Sequence, residues 1–384
     1  MDSWKNTADI AIIGGGIMGT CTAYYLAKQG QKNVVLLEKN LLAQSSTGLC
    51  VGGIRQQFSH PANILLSQET LHLFNSFKEE FNVDIGFHQP GYLFLAQKEE
   101  TWNDFLASAE VQSKYNVPIE ILPPEEIKYR WSYLEVYDLK GGTFCPEDGY
   151  VDPYIMGMAF ANKARNLGVR IMENIKVTNI QLERGRVKGI KTTKGPISVP
   201  IVVNVAGPWG GVVSRMAGLE LPVLPYRRQV FMTKAFDGIP KPVPMIIDMD
   251  VLFYFRGEKP GILTGMSDQE EPSSFNTNVD WNFLERVIEA AVHRAPILET
   301  AKILRGWGGL YTITPDENPI IGAVGEVEGF FCAIGFSGHG FQHGPAVGRI
   351  MTELILDGHT HFDLSPFAYD RFGKTEGLRE KRAV

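Results

Sequence analysis

Near its start the chain contains the stretch Ile10-Ala11-Ile12-Ile13-Gly14-Gly15-Gly16-Ile17-Met18-Gly19, from which we predict the fold. The short apolar run before Gly14 is typical of a strand buried in a parallel sheet. A helical pattern follows as far as Gln29, and Gly30 is suited to end a helix. Residues 33–38 form a second apolar, β-rich run. The sequence therefore predicts a strand–helix–strand unit, which requires a parallel sheet.

The turn between this strand and helix fits the GxGxxG pattern of dinucleotide-binding sites, with glycine at positions 14, 16 and 19. Gly14 allows a tight turn, Gly16 lets a pyrophosphate approach the backbone, and Gly19 lets the helix pack closely on the strand. The N–H groups at the helix start then face the phosphates. Glu38 can accept hydrogen bonds from ribose hydroxyls and would repel a 2′-phosphate. A glycine-rich turn without a ligand is the alternative, and the flanking strand, helix and acid argue against it.

A second group of glycines lies far along the chain, in Gly335-Phe336-Ser337-Gly338-His339-Gly340-Phe341. It follows a predicted strand, Phe330–Ile334, and precedes a helix predicted from Pro345 to Leu356. Such a turn presents backbone N–H groups to a ligand, which would be an isoalloxazine carbonyl if the dinucleotide were FAD. Small residues at 45–48 and 52–53 could accommodate the same bulky cofactor. These residues alone leave FAD and NAD open, although an NAD-dependent dehydrogenase would explain only the first glycine turn.

The composition excludes several classes of function. A formal net charge of -6 and a pI of about 5.8 argue against nucleic acid as a main partner. No zinc or other metal site and no redox dithiol is expected, because none of the four cysteines belongs to a CxxC pair. Reduced thiols indicate a cytoplasmic location. We see neither a signal peptide nor an apolar run of membrane-spanning length, so no transmembrane segment is expected.

The two ends of the chain share the strand–glycine–helix pattern, and no low-complexity linker separates them from the middle. We therefore predict an α/β protein whose ends form a discontinuous, Rossmann-like nucleotide-binding domain. The pattern changes from Leu221 to Gly265, where short strand-like runs alternate with proline and glycine. Middle segments should accordingly form a second sheet.

At this point the chain resembles the glycine and D-amino-acid oxidase (DAO) family of flavoproteins. Its likeness is greatest to the branch of sarcosine oxidase β-subunits and dye-linked L-proline dehydrogenase β-subunits. The motifs are specific for the family, span nearly the whole chain in the family's order, and say little about the substrate. They are Gly14–Gly19 with Glu38-Lys39, Gly53-Ile54-Arg55, Asn204-Val205-Ala206-Gly207-Pro208-Trp209, Tyr311-Thr312-Ile313-Thr314-Pro315-Asp316 and Gly335–Phe341.

The resemblance implies an FAD-binding domain of residues 1–88, 145–220 and 318–384. Residues 89–144 and 221–317 would form an α+β substrate-binding domain whose mainly antiparallel sheet covers the flavin. FAD would be bound non-covalently, because Gly309 stands where monomeric sarcosine oxidases have the cysteine that carries FAD. The implied cofactor-binding residues are Gly14, Gly16, Ile17, Met18, Gly19, Glu38, Lys39, Ser45, Ser46, Thr47, Gly48, Val177, Ala206, Gly207, Trp209, Gly309, Phe336, Gly338, His339, Gly340 and Phe341.

The resemblance also implies oxidation of the C–N bond of a small amino acid or an N-alkyl or cyclic amino acid. Sarcosine, proline, glycine and D-amino acids are the candidate substrates, and hydride transfer from Cα to flavin N5 would give an imine. Arg55 matches a family arginine near the flavin and offers a bidentate fork to the substrate carboxylate. Gln342 replaces a lysine of some relatives and so supplies a donor without charge. The predicted catalytic-site residues are Arg55, Tyr254, Tyr311, His339 and Gln342.

Each assignment has a plainer alternative. Arg55 could form a surface salt bridge, Tyr254 and Tyr311 could be core side chains, and Val177 could be an ordinary strand residue. His339 could likewise be a solvated loop histidine.

The electron acceptor stays open between O₂, a dye, a quinone and a partner subunit in a possible hetero-oligomer. The oxygen-activating lysine of sarcosine oxidases has no counterpart around Leu263-Thr264-Gly265, which favours a dehydrogenase over fast reaction with O₂. A flavoprotein scaffold or assembly factor without turnover is a further alternative.

Overall fold

The computed structural model describes residues 6–372 and 379–380. Within these residues every helix is too short or too polar to traverse a lipid bilayer. The helices are α1 Ile17–Lys28, α2 Ser46–Leu49, α3 Pro61–Phe81, α4 Glu99–Lys114, α5 Pro124–Arg130, α6 Pro153–Asn166, α7 Gly210–Met216, α8 Phe283–Arg294 and α9 Gly340–Asp357. The strands are β1 Ile10–Ile13, β2 Val34–Leu37, β3 Gly53–Ile54, β4 Tyr92–Ala96, β5 Glu120–Leu122, β6 Gly141–Cys145, β7 Gly149–Tyr150, β8 Arg170–Met172, β9 Val177–Glu183, β10 Arg186–Thr192, β11 Gly195–Ser198, β12 Ile201–Asn204, β13 Leu224–Thr233, β14 Met245–Asp248, β15 Phe253–Glu258, β16 Gly261–Met266, β17 Ile303–Ile313, β18 Ile320–Ala323 and β19 Phe330–Ile334.

Six strands form a sheet in the order β18-β19-β12-β1-β2-β8. Neighbouring strands are parallel except β18 and β19, which are antiparallel. Both faces of β1 are covered, and this explains its unbroken apolar run. Ile10 and Ile12 share a core with α1, α6 and α9, whereas Ala11 and Ile13 face the small sheet β11-β10-β9 and α7. Successive side chains of β1 thus pack into the two cores on opposite sides of the six-stranded sheet.

The second large sheet has eight strands in the order β17-β13-β16-β15-β14-β4-β6-β5. All its neighbouring pairs are antiparallel except β14 with β4. Its apolar face packs on α8, whose Phe283, Val287 and Ala291 lie at helical spacing in the same buried cluster as Phe231 and Phe255 of the sheet. The predicted fold class, a Rossmann-like layer combined with a mainly antiparallel sheet, is confirmed.

The chain passes repeatedly between the two large sheets. Strands of the six-stranded sheet come from residues 10–37, 170–172, 201–204 and 320–334, and those of the eight-stranded sheet from residues 92–145 and 224–313. A two-stranded ribbon, β3 with β7, lies in the segments that connect them. The domain boundaries given above remain a prediction, and parts of the ranges 1–88 and 318–384 lie outside the described residues.

The two glycine turns leave the six-stranded sheet at the same edge. Asn204, the last residue of β12, is the register partner of Ile13 in β1 on one side and of Cys332 in β19 on the other. Because these three strands are parallel, their carboxyl ends share one edge, which is where α/β sheets bind ligands.

Helices α1 and α9 follow those turns and pack closely on each other. A Cβ on Gly344 would lie 2.6 Å from Cγ1 of Ile17, and a Cβ on Gly348 would lie 2.6 Å from Cβ of Cys21. Glycine at these two positions of α9 therefore permits the close approach that keeps both helix starts together.

Helix α9 begins at Gly340, not at Pro345 as the sequence predicted. The preference of proline for the first helical turn suggested the later start. In the structure Pro345 lies inside the helix, where it has no N–H to donate to the carbonyl of Phe341. The start of α9 therefore lies next to His339, at the edge of the sheet.

Replacing Gly19 with alanine should destabilise the protein by about 1 to 3 kcal/mol, the usual effect of overpacking. The new Cβ would lie 1.9 Å from the carbonyl oxygen of Gly14, so α1 would have to move away from the turn. Urea denaturation of the variant and the wild type measures the difference. Gly325→Ala is the control, since a Cβ on that exposed glycine meets no atom within 4 Å. Equal stability of Gly19→Ala and the wild type would contradict the close packing.

Candidate functional site

A cavity of about 390 Å³ is lined by residues of both large sheets and of both glycine turns. This volume is in the range of small-molecule sites. We describe its lining as two sets. The Glu38 set comprises Gly14, Gly16, Glu38, Lys39, Val177 and Trp209, and the Arg55 set comprises Arg55, Tyr254, Tyr311, Gly338, His339 and Gln342.

The backbone turn into α1 leaves room for a ligand. Gly14 has a φ of 120°, and a Cβ there would lie 2.5 Å from the carbonyl oxygen of Val205, so glycine is required. The first turn of α1 has no acidic residue, and its cap residue Gly16 has no side chain. The N–H of Ile17 donates to Oγ1 of Thr47, which anchors α2 beside the helix start. This positive helix end is suited to an anionic group.

Glu38, directly after β2, is held at the cavity wall by backbone groups. Its Oε2 accepts the N–H of Gly15 at 2.8 Å, and its Oε1 accepts the N–H of Asn40 at 2.8 Å. The neighbouring Lys39 places its Nζ 2.9 Å from the centroid of the Trp209 ring, a cation–π contact. Burial lowers the pKa of Lys39 to about 8. The set therefore offers carboxylate oxygens and an apolar wall close to the anion-binding helix start.

Arg55, His339 and Gln342 form one buried network. Nη2 of Arg55 lies 2.9 Å from Nε2 of His339, and Nη1 donates to the carbonyl oxygen of Gln57. The side-chain oxygen of Gln342 accepts the backbone N–H of Arg55 at 2.8 Å. The guanidinium also lies 4.1 Å from the centroid of the Phe58 ring. Three residues predicted separately as site residues thus meet, and Arg55 is buried, not exposed.

The network fixes the state of the His339 ring. A guanidinium has only donors, so Nε2 of His339 must accept the hydrogen bond from Arg55. His339 is therefore neutral, with its proton on Nδ1. A ring in this state does not use Nε2 as a base while the contact with Arg55 persists.

Tyr311 packs its ring on the second glycine turn. Gly338 has a φ of 94°, and a Cβ there would lie 2.5 Å from Cε2 of Tyr311. Burial raises the pKa of Tyr311, of Tyr254 and of Tyr92, all of which line the cavity. These phenols accordingly keep their protons at neutral pH and act as hydrogen-bond donors, not as bases.

Two of the predicted cofactor-binding residues, Gly19 and Gly48, do not line the cavity. Both are packing glycines: a Cβ on Gly48 would lie 2.3 Å from the carbonyl oxygen of Ala43, just as one on Gly19 would meet Gly14. The remaining predicted residues all line it, including Ser45, Ser46, Thr47, Val177, Gly309, Phe336 and Phe341.

The sequence reasoning missed several lining residues with polar side chains, among them Tyr92, Lys176, Arg228 and Thr312. Arg228 and Val230 both line the cavity, as alternate residues of one strand should. That alternation was visible in the sequence, but the face turned to the cavity was not.

A buried carboxyl supports Arg55 from behind. Oδ1 of Asp148 accepts the N–H of Gln56 at 2.8 Å, and Oδ2 accepts Nε2 of Gln57 at 3.2 Å. Asp148 is fully buried, and burial raises its pKa to about 7 despite these hydrogen bonds and the charge of Arg55. It thereby fixes the segment that includes the acceptor of Arg55, the Gln57 carbonyl.

Comparison with known proteins gives a family and a solved fold. The family model of FAD-dependent oxidoreductases (DAO) matches residues 9–354. Among solved structures, the chain is similar to L-proline dehydrogenase from P. horikoshii, with a TM-score of 0.89 and 34% identity. That similarity covers 96% of this chain and 98% of the other.

Two curated relatives show how varied similar proteins are. Mitochondrial dimethylglycine dehydrogenase of Rattus norvegicus is 31% identical over 392 residues, which cover 97% of this chain and 45% of that protein. The mitochondrial pyruvate dehydrogenase phosphatase regulatory subunit of Mus musculus is 29% identical over 388 residues, which cover 97% and 44%. The chain therefore spans less than half the length of these relatives.

Asp148→Asn should make stability less dependent on pH. The folded-state pKa of about 7 is above the ordinary value, so the stability gained by keeping the proton is present in acid and is lost as pH rises through about 7. Thermal unfolding between about pH 5 and about pH 8.5 should show the wild type losing stability relative to the variant. Glu110→Gln, an exposed change on α4, is the control and should track the wild type. A constant difference between Asp148→Asn and wild type across this range would contradict the raised pKa.

Proposed function

This chain belongs to the family of FAD-dependent oxidoreductases, and on that basis we propose that it oxidises the C–N bond of a small amino acid. The substrate class is an amino acid or an N-alkyl or cyclic amino acid, of the sarcosine, proline, glycine or D-amino-acid type, and the product is an imine. Membership of the family decides between FAD and NAD in favour of FAD. The observation that carries the proposal is the Arg55 set, a buried guanidinium with the protonated phenols of Tyr254 and of Tyr311, the latter on the second glycine turn.

The residues present fit FAD. The start of α1 at Gly16 would hold the pyrophosphate, Glu38 the ribose hydroxyls, and the turn from Gly338 to Phe341 the isoalloxazine ring. When bound, FAD supplies N5 as the acceptor of a hydride. We propose a non-covalent complex, because Gly309 lines the cavity at the place of the family's FAD-carrying cysteine.

The side chains of the Arg55 set would orient the substrate. Arg55 would bind the carboxylate, and Tyr254 and Tyr311 would form walls and donate hydrogen bonds. None of these groups is suited to remove a proton: the phenols hold theirs, and Nε2 of His339 accepts from Arg55. The amine must therefore arrive neutral, and water would hydrolyse the imine after release.

Electron transfer to an acceptor other than O₂ is favoured. The segment where sarcosine oxidases have their oxygen-activating lysine is Leu263-Thr264-Gly265, on β16. A Cβ on Gly265 would lie 2.5 Å from the hydroxyl oxygen of Tyr254, so a long side chain has no room there. We propose dehydrogenase behaviour, with a dye, a quinone or a partner subunit as oxidant.

A role without turnover is the second candidate. It is favoured by the likeness to a protein named as a regulatory subunit. The retained Arg55 and Tyr311 argue for catalysis, since a scaffold would not need a buried cation in its cavity.

Anaerobic addition of sarcosine, proline, glycine and D-amino acids to the flavin-loaded protein should bleach the visible flavin absorption with at least one of them. Reduction follows because the substrate carbon gives its hydride to the cofactor. Acetate, which has no amine, is the control and should leave the spectrum oxidised.

The same reduced sample is then mixed with O₂ or with a redox dye. We expect the dye to restore the flavin absorption faster than O₂ does. Bleaching by no member of a broad amine panel would contradict the proposed oxidation and favour the role without turnover.

Arg55→Ala should raise the KM for the active amino acid by about 10- to 100-fold, the loss expected for a charge-assisted hydrogen bond. Steady-state kinetics with a dye as acceptor measures this. Arg55→Lys keeps the charge and loses the fork, so its KM should fall between the two. An unchanged KM in Arg55→Ala would remove Arg55 from the carboxylate-binding role.

A further inference from the structure

Arg228 is a cation of the cavity that the family motifs do not include. It lies on β13, and its register partner on β17 is Gly309. Because Gly309 has no side chain, the guanidinium meets no side chain directly opposite it on β17 and reaches diagonally to Tyr311 on the same strand. The Cζ of Arg228 is 5.4 Å from the centroid of the Tyr311 ring. Arg228 therefore borders the same space as the Arg55 set.

The preceding residue, Arg227, is an arginine of the same strand that has an ion-pair partner, and it serves as a comparison. Arg227 points to the other face of the sheet and forms an ion pair with Glu271, with Nη2 to Oε2 at 2.8 Å. Within residues 6–372 and 379–380, Arg228 has no such ion pair, and its Nε is buried without a hydrogen-bond partner. Its Nη1 donates to the carbonyl oxygen of Arg227, which carries no net charge. Arg228 is half-buried, and a cation whose Nε is buried without a partner is costly unless an anion joins it.

The acids near Arg228 are already neutralised. They are Glu271, which is paired with Arg227, and Asp268, which is paired with Arg286 at 3.1 Å. Arg55 differs, because the carboxyls of Glu380 and, to a lesser degree, Asp148 act on it and oppose the lowering of its pKa by burial. Glu38 is the one carboxylate among the described residues that line the cavity, and it belongs to the other set. The Arg55 set with Arg228 thus has a surplus of positive charge.

We propose that Arg228 is a second carboxylate-binding residue of this site. Arg228 and Arg55 would then bind the substrate carboxylate together. The inference rests on the proposed function and makes it more specific: an amine with a carboxylate is preferred to the same amine without one. Burial raises the pKa of Tyr311, and the charges of Arg228 and Arg55 both oppose that rise, so both guanidiniums act on the same phenol. Donors from two arginines would select an anionic substrate and set its orientation.

The pyrophosphate of FAD is another anion that Arg228 could bind. Its expected location and the FAD content of the Arg228 variants distinguish it from a substrate carboxylate. The pyrophosphate of FAD is expected at the start of α1, whereas Arg228 contacts Tyr311 on the eight-stranded sheet. If Arg228 served the cofactor, its removal would lower the FAD content of the purified protein.

The experiment uses flavin-loaded protein and two carboxylates in which oxygen replaces the amine nitrogen, methoxyacetate and tetrahydrofuran-2-carboxylate. Their binding is followed by perturbation of the visible flavin spectrum, and the corresponding amides are the neutral probes. Arg228→Gln should weaken carboxylate binding by about 10- to 100-fold, Arg228→Lys should weaken it less, and the amides should bind all variants alike. Arg305→Gln, which removes an exposed charge from β17, should bind as the wild type does.

Three results would overturn the proposal. These are carboxylate binding by Arg228→Gln at wild-type strength, loss of FAD without a change in carboxylate binding, and failure of the wild type to bind either carboxylate. The anaerobic amine titration is read separately. If the wild type is bleached by amines but Arg228→Gln binds carboxylates normally, the oxidation stands and only the role of Arg228 fails.

Discussion

The parallel pairing of β1 and β19 with β12 is the constraint on which the site depends. The strands β1 and β19 each end in a glycine turn that opens a helix. Strand β12, which lies between them, holds the two strand ends at one edge of the sheet. The helices that follow must then approach closely, which α9 allows by having glycine against Ile17 and Cys21 of α1. Segments separated by most of the chain are thereby brought to a single cavity. The nucleotide features are chiefly backbone features, because N–H groups and the absence of Cβ atoms are what the two turns supply.

Features of the fold and site that neighbouring residues determine could be predicted from the sequence, whereas those that tertiary packing or strand register determines could not. The first strand, turn and helix could be located from sequence because each has its own pattern, and the family resemblance extended this to the whole chain. Glycine spacing could not separate residues that line a cavity from those that only pack, so Gly19 and Gly48 were assigned to the cofactor although they do not line the cavity. The start of α9 was misplaced because proline is a local signal, whereas Pro345 is accommodated by the tertiary packing of α9. Arg228 was missed for a different reason: only the register of β13 on β17 decides which of two adjacent arginines faces the cavity.

The electrostatics of the cavity are uneven in a way that suits its proposed chemistry. The Glu38 set combines a carboxylate, a lysine of lowered pKa on an aromatic ring, and a positive helix end. The Arg55 set has one buried guanidinium, phenols that keep their protons, and a neutral histidine whose Nε2 is engaged by Arg55, and the half-buried Arg228 lies beside it. Such surroundings stabilise an anion and disfavour a second cation beside it. An amino acid would therefore be held best as a carboxylate with an uncharged amine, which is the form able to release a hydride.

In the proposed function, the two large sheets contribute mainly different kinds of groups to the cavity. The six-stranded sheet contributes glycines and helix starts, which any side-chain change elsewhere leaves intact, while the eight-stranded sheet contributes the side chains of Arg228, Tyr254 and Tyr311. A family can keep the first and vary the second, since substitutions on β13 and β15 alter the cavity wall, whereas Tyr311 of β17 also packs on the second glycine turn. This explains why the sequence identifies the family from many motifs at once but is much less informative about the amine. It also explains why glycine at position 309 matters twice: it offers no thiol to the cofactor, and it places no side chain directly opposite Arg228 in the pair of β13 with β17.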